Sequence, residues 1–363
     1  MTQARRVPLR LLIVLPSWVG DVAMATPALA RIRHALKGSF IGGLMRPGID
    51  EVLSGSEFFD ETHVFIPHGI MSTKHAAAKI RPRRYDAALL LTNSFSTALI
   101  TRFGGIDRRI GYDKDARGLL LTDTLREPHD PAIQSKRTPV PAVDWYWSLA
   151  EYLLNTEAVA VARCKSLPRM PEGNFISLAT TADDESAADE LLKRGGIEPG
   201  TNLAILNPGG NNPLKRWPAD RFAEIARDLA NSHGLKVLVN GSPAEADVCE
   251  QIATLSGAVN LPRLGIRIGT LKALVRRAKI MVTNDTGPRY FALAFDTPCV
   301  ALYGPTDVRW TLTPARDAAR HLVLQANPDL PRHLVADDYP EECQIEKIAV
   351  DAVRAACNAV LRP

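Results

Sequence analysis

The chain has no hydrophobic run long enough to span a bilayer. Residues 11–15, an apolar stretch after a basic start that includes Arg5, Arg6 and Arg10, are about one strand long, far short of the roughly 18 apolar residues a spanning helix needs. No small-residue cleavage site follows them, so the expectation is a cytoplasmic protein. The five cysteines, Cys164, Cys249, Cys299, Cys343 and Cys357, form no C-x-x-C pair, which argues against a disulfide framework and for reduced, mostly buried thiols. The eight histidines include no H-E-x-x-H and no H-x-H, so no metal and no cofactor are expected from ligand spacing. Lys and Arg total 44 against 40 for Asp and Glu, a net charge of +4, and that mild balance gives no ground for a nucleic-acid partner. There is no G-x-x-x-x-G-K-S/T phosphate loop and no G-x-G-x-x-G dinucleotide fingerprint. Solenoid repeats and low-complexity tracts are absent too.

What is present is apolar surface for two cores: 363 residues at 46% hydrophobic composition exceed what one ordinary core holds. The run 9–15 (LRLLIVL) reads as a strand buried on both faces of a parallel sheet. Ala25, Leu29, Ile32 and Leu36 follow at helical spacing, predicting a helix from just after Asp21 to Gly38 with Pro27 near its start. Strands at 39–45, 62–66 and 86–91 alternate with helices, the clearer ones at 94–103 and 143–154. Two prolines and a glycine in 166–173 mark a domain boundary, followed by a solvent-facing helix at 183–194. A second alternating series runs through strand 202–206, helix 219–231, strand 235–239, helix 244–255, helix 271–278, strand 279–283, helix 289–294 and strand 299–302. Residues 325–342 read as a connecting segment and 345–361 as a final amphipathic helix. The class is therefore α/β, with two Rossmann-like doubly wound domains and a cleft at the carboxyl ends of their strands, where such folds bind ligands.

Three motifs fall directly after strands. In Pro16-Ser17-Trp18-Val19-Gly20-Asp21, Gly20 permits a sharp turn, and Asp21 is either a helix-capping carboxylate or a general base able to take a proton from a hydroxyl nucleophile. In Asn207-Pro208-Gly209-Gly210-Asn211-Asn212-Pro213-Leu214-Lys215-Arg216-Trp217-Pro218, paired glycines allow close backbone approach and Lys215 adds a point charge near a helix start, a field suited to a diphosphate. In Thr283-Asn284-Asp285-Thr286-Gly287-Pro288-Arg289, a tight turn aims the Thr286 and Gly287 amides and the Thr286 hydroxyl at an anion. A D-T-G tripeptide also marks aspartic proteases, but those need two copies in an all-β fold. After the strand at 235–239, Glu245 either accepts ribose hydroxyls or complements a helix dipole. Asp113-Lys114-Asp115 has the D-x-D form of a metal-dependent glycosyltransferase, and a solvated loop is the stronger reading there. The aromatics Trp145-Tyr146-Trp147 read as core packing rather than a sugar platform. Cations gather at Lys74, Lys79, Arg81, Arg83 and Arg84, and again at Arg102, Arg108, Arg109, Lys114 and Arg117; a solvated face and an anionic membrane surface explain them equally well.

Taken together, the blocks resemble the lipopolysaccharide heptosyltransferases, glycosyltransferases of family 9 with the GT-B architecture. P-S-W-V-G-D at 16–21, T-N-S-F at 92–95, R-R-I-G-Y at 108–112, P-G-G at 208–210 with K-R-W-P at 215–218, N-D-T-G at 284–287 and A-L-Y-G-P-T at 301–306 occur in the family's order and cover nearly the whole chain. Trp18 and the N-S-F block are closer to the heptosyltransferase II branch than to the heptosyltransferase I branch. The resemblance implies an N-terminal acceptor-binding domain over 1–170, a nucleotide-sugar-binding domain over 171–342, and a C-terminal helix, 343–363, returning to the first domain, with the two domains facing each other across the cleft. It implies inverting, metal-independent transfer from ADP-L-glycero-β-D-manno-heptose to a lipid A/Kdo-type inner-core acceptor, with peripheral contact to the anionic inner membrane. Asp21 matches the catalytic base, and Ser17, Trp18, Gly20, Asn93 and Ser94 fall on the acceptor side. On the donor side Lys215 matches the diphosphate-binding lysine, Glu245 the ribose-binding glutamate, and Asp285, Thr286 and Gly287 the donor-binding turn. Asn211 stands where a hydroxyl-bearing phosphate contact is common, and Leu264 matches a residue beside the adenine. One position departs from the pattern: the family's usual histidine three residues after the turn glycine is here Tyr290, which donates a hydrogen bond but carries no positive charge near neutral pH. A nucleotide-sugar binder without turnover, or a transferase for another donor or acceptor, is the alternative this departure leaves open.

Overall fold

The computed structural model describes residues 9–66, 69–155 and 167–362. Cys164, Arg5 and Arg6 lie outside the described residues. The described residues form two compact units, one within Met1–Asp130 and Val140–Asn174 and the other within Pro131–Pro139 and Phe175–Pro363.

The first unit is built from β1 (Arg10–Val14), α1 (Val19–Ala35), β2 (Phe40–Met45), α2 (Ile49–Leu53), β3 (Glu61–Val64), α3 (Gly69–Ile80), β4 (Ala87–Leu90), α4 (Phe95–Phe103), β5 (Arg108–Tyr112), β6 (Asp123–Leu125) and α5 (Ala142–Leu154). Its six strands are all parallel, in the order β3-β2-β1-β4-β5-β6. Leu12 and Val14 join Ala76, Ala77 and Ile80 of α3 and Ala98 and Ile100 of α4 in one core. Leu11 and Ile13, equally buried, point to the other face because side chains alternate along a strand. That double burial is why β1 reads as an unbroken apolar run.

Pro27 sits at the middle of α1 rather than near its start. A proline there leaves the carbonyl four residues earlier without its helical donor; the buried Thr26 hydroxyl donates to that Ala23 oxygen at 2.8 Å, so the helix continues. Gly20 also differs from expectation. It is the second residue of α1 and has no left-handed φ, so the turn into the helix is made without it.

The second unit comprises α6 (Ala182–Arg194), β7 (Leu203–Asn207), α7 (Ala219–His233), β8 (Lys236–Val239), α8 (Ala246–Ser256), β9 (Val259–Asn260), α9 (Ile268–Arg277), β10 (Ile280–Asn284), α10 (Arg289–Phe295), β11 (Cys299–Tyr303), β12 (His321–Gln325) and α11 (Val350–Val360). Its parallel sheet runs β12-β11-β10-β7-β8-β9. Counted from the first strand of each unit, both sheets have the order 3-2-1-4-5-6 of the doubly wound nucleotide-binding fold.

Two expectations about organisation are corrected. The single boundary at 170/171 gives way to a chain whose residues 131–139 belong to the second unit, where the Gln134 N–H donates to the His333 carbonyl at 2.8 Å and the Arg137 guanidinium lies 4.7 Å from the Trp310 ring centre. The C-terminal helix begins only at Val350, after a separate turn at Ile345–Lys347, and packs within the second unit. Val353, Ala356, Cys357 and Val360 complete the second unit's core with Phe222 and Ile225 of α7 and Val300 and Leu302 of β11. The apolar stripe of α11 covers the strip of sheet that α7 and α8 leave open.

Candidate functional site

In the second unit the strand order reverses between β7 and β10, and the chain leaving these two strands turns to opposite faces of the sheet, the position at which such folds bind ligands. Asn207 closes β7 and pairs in register with Thr283 of β10. Its amide Nδ2 donates to Thr283 Oγ1 at 3.2 Å and to Thr286 Oγ1 at 2.6 Å, while its Oδ1 accepts from Asn240 Nδ2 at 2.5 Å. Asn284, the last residue of β10, donates to the carbonyls of Pro208 at 2.7 Å and Gly209 at 3.3 Å and accepts from the Trp217 N–H at 3.4 Å. These asparagines are buried, and buried amides of this kind hold their loops only when their hydrogen bonds are made. The loop after β7 and the turn after β10 are thus cross-tied from below.

On this platform Lys215 Nζ donates to Asp285 Oδ2 at 3.0 Å. Lys215 ends a short turn, Pro213–Lys215, capped by Asn212, whose Oδ1 accepts from the Leu214 N–H. An ammonium has three donors, so the bond to Asp285 leaves two for an anion. The neighbouring Arg216 donates through Nε to the Gly210 carbonyl at 2.8 Å. Glu245 binds the same loop from the other side: Oε1 accepts from the Gly210 N–H at 2.6 Å, and Oε2 accepts from the Ser242 N–H and hydroxyl, both at 2.8 Å. Burial by itself would raise this carboxyl; the bonds from Ser242 and Gly210 and the charge of Arg216 outweigh it and hold Glu245 below the usual carboxylate range. A Cβ on Gly209 would collide with the Glu245 carboxylate, whereas Gly210 has room for one. The first glycine of the pair is therefore required by the protein's own packing.

The other residues that the resemblance places on the donor side are spread. Thr286 and Gly287 are half-buried in the turn before α10 and Asn211 is exposed on the β7 loop. Leu264 lies half-buried in the turn Pro262–Leu264 beyond β9. Tyr290 is buried within α10, with the guanidinium of the equally buried Arg289 5.3 Å from its ring centre; Arg289 itself donates to the Tyr303 hydroxyl at 2.6 Å.

In the first unit the order reverses between β1 and β4. Asp21 is the third residue of α1, and the cap position is held by Trp18, with no side-chain cap bond; the capping reading of Asp21 is thereby set aside. The Tyr146 hydroxyl of α5 donates to Asp21 Oδ1 at 2.9 Å. Trp147 and Tyr146 are buried, and Trp145 packs edge-on against Tyr112 with ring centres 4.5 Å apart, so this aromatic run is core with one polar tip turned to Asp21. Ser17 is half-buried and Trp18 exposed. After β4, Ser94 caps α4 by accepting from the Thr97 N–H at 3.2 Å. Asn93 Oδ1 accepts from Arg117 Nη2 at 3.0 Å. Arg117 is fully buried and also donates to the carbonyls of Thr92 and Tyr112.

Sequence reasoning passed over Asn207, Asn240, Asn284, Tyr146 and Arg117 as site residues. A signal existed for the first three, since each apolar strand β7, β8 and β10 ends in, or is followed at once by, an asparagine. None existed for Arg117, which looked like one more surface cation. The D-x-D stretch forms a turn in which Asp115 and Ala116 have φ of 53° and 58° and Lys114 pairs with Glu127 at 2.6 Å. Among the described residues no group of three or more His, Cys, Asp or Glu side chains could hold a metal ion, and no helix is long and apolar enough to cross a membrane.

Comparison with known proteins places these features in a family. The chain is 28% identical to lipopolysaccharide heptosyltransferase 2 of Salmonella typhimurium over 325 residues, 84% of this chain and 85% of the relative. Its fold matches that of Escherichia coli ADP-heptose lipopolysaccharide heptosyltransferase II with a TM-score of 0.76 at 23% identity, over 97% of this chain and 98% of that one. It also matches the Escherichia coli heptosyltransferase WaaC solved with ADP-2-deoxy-2-fluoro heptose, with a TM-score of 0.64 at 19% identity over 96% and 99% of the two chains. The family model for glycosyltransferase family 9 (heptosyltransferase) matches residues 74–338, most of the chain, and this protein, with its GT-B type α/β fold, belongs to that family of glycosyltransferases.

Proposed function

We propose that this chain transfers heptose from ADP-L-glycero-β-D-manno-heptose to a sugar of the lipopolysaccharide inner core, with inversion at the anomeric carbon. The observation that carries the donor half is the Lys215–Asp285 pair seated on the Asn207–Thr286 tie at the switch point of the second sheet. Lys215 and the amides of Thr286 and Gly287 take up the charge of the departing diphosphate, Glu245 meets the ribose, and Leu264 lies beside the adenine. The acceptor half rests on Asp21, a carboxylate oriented by the Tyr146 hydroxyl. Asp21 accepts the proton of the acceptor hydroxyl, the resulting oxygen forms its bond to the anomeric carbon, and the bond from that carbon to the diphosphate breaks, releasing ADP. One displacement inverts the centre, converting the β-linked donor into an α-linked product. The acceptor is a lipid A/Kdo-type molecule, and the protein meets it by peripheral contact with an anionic membrane.

Incubation of the purified chain with ADP-heptose and a deacylated inner-core acceptor should release ADP and yield the heptosylated product, and Asp21→Asn should abolish both. Full turnover by Asp21→Asn removes Asp21 as base. Tight ADP binding with no transfer to any inner-core acceptor replaces the enzyme with a nucleotide-sugar binder, and a preference for UDP or GDP in a thermal-shift screen overturns the donor.

A further inference from the structure

Among the described residues, six large apolar side chains of the first unit are exposed; Met71, Phe95 and Phe103 lie on the neighbouring helices α3 and α4, and Trp18, Ile66 and Leu119 lie outside them. In α3 the outward positions are Met71, Lys74, His75, Ala78 and Lys79, recurring at three- and four-residue spacing, while Ala76, Ala77 and Ile80 are buried. In α4 they are Phe95, Ser96, Arg102 and Phe103. The two helices pack side by side: Arg81, just past α3, donates to the Phe103 carbonyl at 2.7 Å, and a Cβ on Gly104 would meet the Ile80 side chain. Met71 is 60% exposed, Phe95 48% and Phe103 39%, although each is a side chain that water disfavours.

The charge on this face has one sign. From residue 62 to residue 85 the sequence has five Lys and Arg and no Asp or Glu, and from 92 to 106 it has Arg102 and no acid. The acids that border the first stretch are engaged, Glu61 with Arg83 at 2.7 Å and Asp86 with the Arg10 N–H at 2.7 Å. Among the described residues no ion pair holds Lys74, Lys79 or Arg102. An outward face combining cations that have no carboxylate partner, Lys79 donating only to the Val64 carbonyl at 3.4 Å among the described residues, with half-exposed aromatic and Met side chains matches an interface that is anionic at the surface and apolar a few ångströms below, which is the profile of an anionic bilayer.

We propose that the outward face of α3 and α4 docks on an anionic phospholipid bilayer, Met71, Phe95 and Phe103 entering the headgroup layer while Lys74, Lys79 and Arg102 meet lipid phosphates. This rests on the membrane-contact part of the proposed function and gives it a location. An acceptor anchored in the same leaflet is then sampled in two dimensions rather than three.

The test is co-sedimentation with phosphatidylglycerol vesicles, and with phosphatidylcholine vesicles for comparison. Near an anionic surface each cation contributes about fivefold in binding, so K74E/K79E should weaken binding to phosphatidylglycerol vesicles at least 25-fold. M71S/F103S should weaken it about tenfold through lost apolar burial. K193E/R194E, the same charge change at exposed positions in the second unit, should stay within about threefold of the unmodified chain. ADP affinity and turnover of a deacylated acceptor should be unchanged in all three variants, which separates docking from misfolding. Undiminished binding by both face variants, or an equal loss in K193E/R194E, overturns the α3–α4 assignment and leaves membrane contact standing. No binding of the unmodified chain to phosphatidylglycerol vesicles overturns both.

Discussion

Replacing Lys215 with methionine separates what the ion pair does for the protein from what it does for a ligand. The side chains are 20% exposed for Lys215 and 6% for Asp285. Removing one partner of a buried pair costs about 3–5 kcal/mol because the other charge is left without compensation. Lys215 is one-fifth exposed, so water reaches the vacated position, and the expected cost falls to roughly 2–3 kcal/mol. For a unit of this size that is a fall in Tm of roughly 5–10 °C. Asp285→Asn should be milder, because the amide still accepts from the lysine. The double variant K215M/D285N removes both charges and should recover most of the lost stability, giving a coupling energy that scanning calorimetry of the four proteins reads directly.

Ligand binding should not follow the same pattern. If Lys215 donates to a diphosphate, K215M loses a charge-assisted hydrogen bond of about 1.5–3 kcal/mol, roughly 10- to 150-fold in Kd, and the double variant should remain just as weak. Isothermal titration with ADP measures this. An ADP affinity in K215M/D285N equal to that of the unmodified protein would refute the reasoning, because it would mean that Lys215 serves only to neutralise Asp285.

Four further perturbations address the remaining parts of the site. Asp21→Asn should lower turnover by about 10²- to 10⁴-fold, the usual span for a general base, with ADP affinity unchanged by titration; Tyr146→Phe, which removes one hydrogen bond to that carboxylate, should lower kcat about tenfold without altering the donor KM. Asn207→Leu keeps the branched heavy-atom shape but removes the bonds to Asn240 and Thr286, at about 1–3 kcal/mol for each buried group left unpaired, so urea denaturation should show a loss of about 2–4 kcal/mol. Glu245→Gln tests the lowered carboxyl: a group whose folded pKa is depressed contributes stability above its unfolded value near 4.5 and loses it as pH falls through the lower folded value. The variant should therefore be less stable than the unmodified protein at pH 7, with the gap closing below about pH 4.5, and a gap that widens in acid would reverse the assigned cause.

The central strands were legible because they carry the strongest sequence signal, apolar on both faces: β1, β7, β10 and β11 fall within a residue or two of where the runs of Leu, Ile and Val place them. Four other strands were not. β5 begins with two arginines, β6 is three residues long, β9 is two, and β12 (HLVLQ) is half-exposed along its length, so none shows a period to read. The helix through Pro27 was misjudged because its rescue is a side-chain bond from Thr26, invisible to a rule about backbone donors. The terminal helix showed its apolar stripe in sequence but not which core that stripe completes; that depends on the strip left open beside α7 and α8. In the site, strand-to-loop placement of the Lys215 and Asp285 motifs was readable, whereas the contact between them, across 70 residues, was not.

The same strand order recurs in both units, and in each a loop at the reversal is held by buried polar side chains. In the second unit these are Asn207, Asn240 and Asn284, and in the first Arg117, whose guanidinium fixes Thr92 and Asn93 and whose burial brings its pKa down to about 10. An apolar core can place a strand to within its register, but it cannot specify the direction of a loop amide, because dispersion and hydration forces carry no direction. Hydrogen bonds do carry it, and a buried network costs several kcal/mol when any member is missing. Orientation of these loop groups is thus assigned to buried side chains beneath them. It follows that substitutions at Asn284 or Arg117 should alter ligand affinity or turnover as strongly as substitutions in the loops they hold.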